Sequence, residues 1–407
     1  MPVLQCVRIK SFKSILSQKI DLGQLNVFIG ANGTGKSNLL ESIGMLSSAI
    51  SGEIEYSRFM DRGMRLSAPE VFRSAFKNEK RRPTLYLEAS FSDLTYHASL
   101  LARSKEKDPW RYNAEEVVRN SHPTRTVIAG RSNRGARICG KVIIKPSPFQ
   151  SIVTSAEALG AFTDEELLKI KALKEYAIYA PSTPILRGVS PDNSHNAPLG
   201  LYGGSLAEAL NDILENKILK EELQSFFKLL DWFQTIGIRR PSDILQSKHV
   251  HTSNKVVMYK DRYMKKNFNE LYAYDVSEGA LYILFVVVLL LHKMSPNIFA
   301  LDNIDNCLNP GLITNLMSHI AETLKTDSLK QVFLTTHNPT ALDGIDIFDD
   351  SHRLFVTKRG ENGSTVFERI MPPKGLTKDE WLEKYQGMKL SEIWLSGAIG
   401  GLPQGTF

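Results

Sequence analysis

The residues best suited to chemistry begin at Gly30. The stretch GANGTGKS, Gly30 to Ser37, follows the apolar run Leu25–Ile29 and precedes a segment with helical character from Asn38 to about Ser47. A strand, a glycine loop and a helix in that order, with the spacing G-x-x-x-x-G-K-S/T, hold the phosphates of a nucleotide. The physical reason lies in the backbone. Gly30, Gly33 and Gly35, with Asn32 between them, let consecutive N–H groups turn inward, and the helix start adds its positive dipole end. Lys36 is placed to reach the β- and γ-phosphates, Ser37 to offer its hydroxyl to Mg2+, and Asn38 follows directly.

Three further pieces fit the same chemistry. Ile298–Leu301 reads as a short buried strand ending at Asp302, an acidic residue suited to holding magnesium beside such a loop. Gln331–Thr335 is a second short strand, followed by Thr336, His337, Asn338 and Pro339. A histidine at a strand end can hydrogen-bond a terminal phosphate, although a lone histidine is more often structural. Upstream, Ser277 and Gly279 open a helix, where a hydroxyl and bare backbone N–H groups suit an anion. Read alone, Ser277 is equally an N-cap.

The elements that must position these residues belong to an ordinary globular chain. Its 407 residues are 42% hydrophobic and 23% charged, enough for one large core with an insertion or for two domains. Lys+Arg 50 against Asp+Glu 44 gives a formal charge of +6, which permits an acidic partner without requiring one. Cys6, Cys139 and Cys307 are far apart and odd in number, so the expectation is a reducing, cytoplasmic setting and no disulfide framework. The opening MPVLQCVRIKSFK lacks the apolar core of a signal peptide. The uncharged run Ala280–Leu291 falls short of the roughly 18 residues that span a bilayer, so it reads as a buried helix and no membrane is expected.

Along the chain, Leu4–Ile9 and Gln18–Leu22 read as strands with Lys13 in the turn between them, and Thr84–Phe91 as another. From Val117 to Ala156 there is no acidic residue, while Arg119, Arg125, Arg131, Arg134, Arg137, Lys141 and Lys145 are basic. Arg137–Lys145 reads as a strand and Gly130–Gly135 as a loop. This zone is either a surface for nucleic acid phosphates or a hairpin whose counter-charges come from elsewhere, and it lacks interleaved aromatics for base stacking. Thr163–Tyr176 begins with Thr-x-x-Glu and reads as a capped surface helix. Ala177–Ala180 is a short strand and Pro181–Gly204 a loop. A helical region capped by Ser205 is expected to reach about Phe233, with an apolar face. A second basic zone, Arg239 to Lys266, surrounds an expected hairpin with a strand at Lys255–Tyr259 and a turn near Asp261.

Taken together, these pieces resemble the ATP-binding-cassette ATPases of the SMC/RecF type, and more narrowly the OLD-like ATPases of bacterial defence operons. The resemblance rests on GANGTGKSN, VSEGA as signature, IFALDNIDNCLNP as the Walker B and D-loop region, and TTHNP as the switch histidine. RIKSFKS, LRGVSPDN and the final WLSGAIGGLPQGTF are similar too. It implies an α/β fold: a P-loop ABC-type ATPase head with a mixed sheet and an inserted helical and β lobe. The expected division is 1–100 for the N-terminal ATPase lobe, 101–270 for the insertion, and 271–407 for the C-terminal lobe. It also implies ATP and Mg2+ as cofactors, and a homo-oligomer in which Ser277 and Gly279 of one protomer act in trans on ATP held by Lys36 of another.

One position departs from the family. Where a glutamate usually follows the Walker B aspartate and positions the attacking water, this chain has Asn303, and an amide is a poor acceptor for a proton. Either Asp305 substitutes, or hydrolysis is slow and bound ATP chiefly holds an assembly together. For function, the resemblance implies a defence ATPase controlling a separately encoded nuclease or toxin, as in Septu and PARIS systems. The alternatives are a RecF-like repair ATPase that binds DNA through the basic zones, and a nucleotide-dependent scaffold. After Thr377, Trp381, Trp394 and Phe407 either dock a partner or pack a C-terminal helix.

Overall fold

The strand Leu25–Ile29 is apolar on both faces because both faces are covered. Leu25, Val27 and Ile29 belong to one apolar core, and Phe28 to the other. In the computed structural model, which describes residues 3–103, 110–121, 124–132, 134–143, 146–194, 196–227, 230–244, 254–327 and 329–399, this strand is inside a six-stranded sheet. The spatial order is Ala177–Tyr179, Ile298–Leu301, Gln331–Thr336, Leu25–Ile29, His352–Arg359, Thr365–Ile370. All neighbours run parallel except the last pair, which is an antiparallel hairpin. A parallel sheet needs cover on both sides, so its strands read as continuous apolar runs.

The cover includes three helices, one of them Pro310–Thr326, which buries Ile313, Leu316, Met317, Ile320, Ala321 and Leu324. Glu278–Leu291 has every residue from Gly279 to Leu291 buried, and Phe285 meets Tyr179 on the edge strand with ring centroids 6.0 Å apart. Each such Leu, Val, Ile or Phe contributes roughly 1.5–3 kcal/mol on burial. On the opposite core lies Lys36–Ile50, buried along nearly its whole length. Beyond it an antiparallel sheet of eight strands closes the core, in the order Ile15–Asp21, Cys6–Phe12, Thr84–Ser90, Leu94–Ala102, Trp110–Ser121, Thr124–Ser132, Gly135–Ile138, Lys141–Ile143. The boundary expected at 100/101 falls within Leu94–Ala102, and Ala177–Tyr179 pairs with Ile298–Leu301 in the central sheet. Within 101–270, material outside both large sheets is the helices Ile152–Ala158, Asp164–Lys174, Thr183–Leu186, Leu206–Glu215 and Lys217–Phe227, the short 3-10 turn Pro241–Asp243 and a three-stranded sheet, Phe233–Arg239, Val256–Asp261 and Glu270–Tyr272.

Several local expectations are corrected. The strand expected at Arg137–Lys145 is instead parts of two, Gly135–Ile138 and Lys141–Ile143, because Cys139 and Gly140 both take positive φ (47° and 77°) and turn the chain back; 144 and 145 lie outside the described residues. Gly130 to Ser132 is strand, paired with Glu116 and Glu115 on one side and Arg137 to Gly135 on the other. The helical region expected from Ser205 to Phe233 breaks at Asn216, whose side-chain oxygen accepts from the N–H groups of Ile218 (3.1 Å) and Leu219 (3.2 Å) and restarts the helix. Phe233 opens a strand instead, and the Ser205 side chain makes no capping bond. A short helix, Thr183–Leu186, sits in the expected loop. The second hairpin's strand is Val256–Asp261 and its connection runs from 262 to 269; residues 245–253 of that basic zone lie outside the described residues.

Three residues of the first basic zone have their counter-charges within the chain, whereas Arg134, Arg137 and Lys141 are exposed. Arg119 is bidentate to Glu166 at 2.6 and 2.7 Å, and Arg125 reaches Glu116 at 3.1 Å. Arg131 is buried, its Nε 3.2 Å from Glu115 and its guanidinium 5.0 Å from the Tyr112 ring. It cannot face a phosphate. At the C-terminus, Trp381 and Trp394 are buried in the core, so their rings pack the chain's own helices; Phe407 lies outside the described residues. Among the described residues, no helix is long and apolar enough to cross a membrane.

Candidate functional site

The site forms where three parallel strands end at one level. Leu301 pairs with Leu334, and Thr336 with Ile29, so Asp302, His337 and the glycine loop leave the sheet side by side. The histidine strand lies between the other two, which is why the loop and Asp302 are near in space although distant in sequence. Gly30 is required by a close approach: at φ 158° it is extended, and a Cβ there would lie 2.3 Å from the Thr357 carbonyl oxygen. Gly35, at φ 111°, is required twice over, since a Cβ would also meet Thr365 Oγ1 at 2.2 Å and Ser14 Oγ at 2.8 Å.

Lys36 Nζ donates to the Gly30 carbonyl at 2.7 Å and to the Ala31 carbonyl at 3.1 Å, and lies 3.2 Å from His337 Nδ1. Burial pushes the lysine down to about 8, with Asp302 and Asp305 pulling the other way. If Nδ1 accepts from Lys36, the ring proton sits on Nε2; if Nδ1 donates to the Gly30 carbonyl, Nε2 is bare. The ring also approaches the Gly30 carbonyl at 3.0 Å, so the tautomer of His337 is coupled to where Lys36 points.

Ser37 Oγ donates to Asp302 Oδ2 at 2.8 Å, and Thr335 Oγ1 donates to the other carboxylate oxygen. Among the described residues, no group of three or more His, Cys, Asp or Glu side chains gathers as a metal site. One carboxylate and one hydroxyl are nevertheless what Mg2+ takes from a protein when substrate phosphates and water complete its octahedron. The oxygen pair fits that ion.

Asn303 adopts the left-handed region, φ 59°, which asparagine tolerates better than longer side chains. Its N–H donates to Thr335 Oγ1 at 2.8 Å, and its carbonyl accepts from Tyr282 of the helix Glu278–Leu291 at 3.2 Å. Asp305 Oδ1 accepts from the His337 N–H at 3.4 Å. The cleft itself, about 300 Å³, is lined by Asn32, Gly33, Gly35, Lys36, Ser37, Asn38, Asn303 and His337. Gly30, Ser277, Gly279, Asp302 and Asp305 are not among its lining residues, although Asp302 reaches the cleft through Ser37. Ser277 caps its helix, its Oγ accepting from the Ala280 N–H at 3.4 Å, and Gly279 lies against Cys307, where a Cβ would be 3.1 Å from the carbonyl oxygen.

Two arginines line the cleft that the sequence reading missed. Arg65 grips both oxygens of Glu41 at 2.8 and 2.9 Å and Asn38 Oδ1 at 2.6 Å. Lys13, from RIKSFKS, meets the same carboxylate. Burial works to raise the Glu41 carboxyl, but the Arg65 hydrogen bonds and the Lys13 charge outweigh it and hold the group below the usual range. Arg359 donates from Nε (3.0 Å) and Nη2 (2.6 Å) to the Gly33 carbonyl at the loop apex. No motif spacing marks Arg65. For Arg359 there was a signal: a base at the C-terminal end of a strand parallel to the loop strand, where open α/β sheets bind ligands.

Residues 6–236 match the sequence model of an AAA domain. Residues 156–343 match a second AAA-domain model, whose description provisionally assigns it to the AbiEii toxin of type IV TA systems. Among solved structures, an SMC head bound to the C-winged helix domain of ScpA superposes with a TM-score of 0.52 at 13% identity, covering 92% of this chain and 100% of that one. The SMC head from Thermotoga maritima gives 0.44 at 12% identity, covering 91% and 99%. The SMC head with an extended coiled coil, bound to the C-terminal domain of ScpA derived from Pyrococcus furiosus, gives 0.48 at 13%, covering 95% and 99%. The first similarity shows the fold, that of an SMC head. No curated protein matches the chain.

Proposed function

The chain belongs to the AAA-domain family, and from that premise we propose that it binds Mg·ATP through Lys36, Ser37 and Asp302, hydrolyses it slowly, and uses the bound nucleotide to join two copies. The carrying observation is a division within the site. Lys36 contacts His337 and Ser37 contacts Asp302, whereas Ser277 and Gly279 do not line the cleft. A signature that stays out of its own cleft is free to complete another copy's. ATP held between the two copies favours the pair through contacts that neither copy makes alone.

Each residue then has a task. Lys36 leaves the Gly30 and Ala31 carbonyls for the phosphates, and its ammonium form is favoured there. Ser37 and Asp302 hold Mg2+, which when bound neutralises charge on the β- and γ-oxygens. His337 Nε2 donates to the terminal phosphate, and Asp305 keeps that histidine in place through its backbone. Asn303 orients a water but takes up its proton poorly, which makes turnover slow.

Slow turnover suits a switch more than a motor. The output we assign is control of a separately encoded effector, a nuclease or toxin, in defence against phage; the toxin-system wording attached to the domain matched over 156–343 supports this reading. The test is light scattering of the full chain with and without Mg·ATP, on the wild type and on Ser277→Arg. The expected result is an ATP-dependent doubling of mass that Ser277→Arg abolishes while each copy still binds ATP. A monomer at saturating ATP overturns the proposal.

A further inference from the structure

The connection between Val256–Asp261 and Glu270–Tyr272 carries the sequence Arg262, Tyr263, Met264, Lys265, Lys266, Asn267, Phe268. Two of its rings stand in solvent, Tyr263 at 74% and Phe268 at 71% exposure. Isolated exposed apolar residues need no explanation, but two aromatics and a methionine on one short turn form a patch.

The turn is firmly built, so the exposure is not a matter of a loose loop. Asp261 N–H donates to the Asn269 carbonyl at 2.9 Å, Arg262 N–H to the Trp232 carbonyl at 2.9 Å, and Phe268 N–H to the Lys265 carbonyl at 2.7 Å. Asp261 Oδ1 caps the Tyr263 N–H at 2.7 Å. Arg262 Nη2 donates to the Phe233 carbonyl at 2.9 Å and its guanidinium lies 5.8 Å from the centre of the Tyr263 ring. Below the turn, Glu270 pairs with Arg239 at 2.7 Å and Lys260 at 3.3 Å. No acidic residue lies between Arg262 and Asn269, and Lys265 and Lys266 are exposed.

We infer that this turn binds single-stranded nucleic acid, with Tyr263 and Phe268 stacking on bases and Arg262, Lys265 and Lys266 meeting phosphates. Tyr263 and Phe268 flank Lys265 and Lys266 along the turn, so two bases and the phosphates between them meet rings and cations together. A duplex hides its base faces inside the stack, leaving these rings nothing flat to cover. A membrane surface asks for a contiguous apolar face, which Lys265, Lys266 and Asn267 interrupt. The arginine-rich zone at 119–137, by comparison, spends much of its charge on Glu115, Glu116 and Glu166.

The turn is also joined to the ATPase machinery. Tyr259, fully buried on the same hairpin, directs its hydroxyl at the Ala280 carbonyl 3.5 Å away, in the first turn of the helix that Ser277 caps. The hairpin that carries the turn thus contacts the element that carries the signature. The role of that element as a signature rests on the proposed ATP-dependent pairing; the binding at the turn does not.

The experiment is fluorescence anisotropy of the full chain with a labelled oligothymidine of about 20 nucleotides, a matched duplex and phosphatidylglycerol vesicles as competitors. The wild type is expected to bind the single strand, with a salt slope of about −2 for three phosphate contacts. Tyr263→Ala combined with Phe268→Ala lowers affinity at least about tenfold and leaves the slope unchanged. Lys265→Ser with Lys266→Ser flattens the slope by about 1.4. All variants keep wild-type ATP binding, which shows that they are folded. The inference is overturned by a wild type that ignores the oligonucleotide, by ring variants that bind as well as the wild type, or by vesicles or duplex displacing the strand as effectively as unlabelled strand. Loss of ATP binding in the wild type strikes the proposed function and leaves this turn untouched.

Discussion

Replacing Asn303 by an acidic residue should raise turnover. Its backbone is fixed independently of its side chain, by the bond from its N–H to Thr335 Oγ1 and the bond to its carbonyl from Tyr282. Asn303→Asp preserves shape and tolerance of φ 59° while replacing the amide by a carboxylate. Asn303→Glu restores the reach usual in the resembled family but places a longer side chain in the left-handed region, at a cost of about 1–2 kcal/mol. A positioned general base contributes roughly 10²–10⁴-fold. Part of that gain is lost, because a new carboxylate next to Asp302 repels its neighbour and the phosphates. The expected outcome is a rise in kcat of about tenfold or more for both variants, larger for the glutamate, with a lower Tm for the glutamate alone. Steady-state phosphate release at saturating Mg·ATP measures it, and Lys36→Ala combined with either change provides the blank. Wild-type rates in both variants, with wild-type ATP affinity, would remove Asn303 from the explanation of slow turnover.

ATP binding above pH 8 should take up a proton, because burial holds free Lys36 near 8 while phosphates require its ammonium form; calorimetry in buffers of different ionisation enthalpy reads the uptake, and affinity falls as pH rises past that value. Glu41 is depressed in the folded protein, so its contribution to stability is complete above the ordinary glutamate range and disappears as pH falls through the folded value. Glu41→Gln, which leaves Lys13 and Arg65 without their shared carboxylate, should cost roughly 3–5 kcal/mol at neutral pH and flatten the acid limb of a urea-midpoint titration. Arg131→Ala should destabilise by a similar roughly 3–5 kcal/mol by stranding buried Glu115, while Arg137→Ala leaves the urea midpoint unchanged. Gly35→Ala should lose ATP binding and about 1–3 kcal/mol of stability, part of the stability returning with Thr365→Ala because that hydroxyl is the nearest obstacle.

What the sequence determined by itself was the set Lys36, Ser37, Asp302 and His337, which the structure brings to one end of the parallel strands. The glycine loop has a fixed spacing because backbone N–H groups must converge, and short apolar runs ending in Asp302 and His337 announce themselves as strands of a sheet covered on both faces. Those signals are local, written within a few residues of one another. The capping box at Thr163 and Glu166 and the buried run after Gly279 were legible for the same reason. Only the tertiary structure decided which strand lies between which, and so brought Thr335 onto the Asp302 carboxylate. It alone placed Arg359 on the loop apex, buried Arg131 against Glu115, and left Tyr263 and Phe268 in solvent. A charge or a ring in a sequence has no fixed partner: whether it is spent internally or offered outward depends on contacts between residues far apart in the chain, and no periodicity or spacing encodes those contacts.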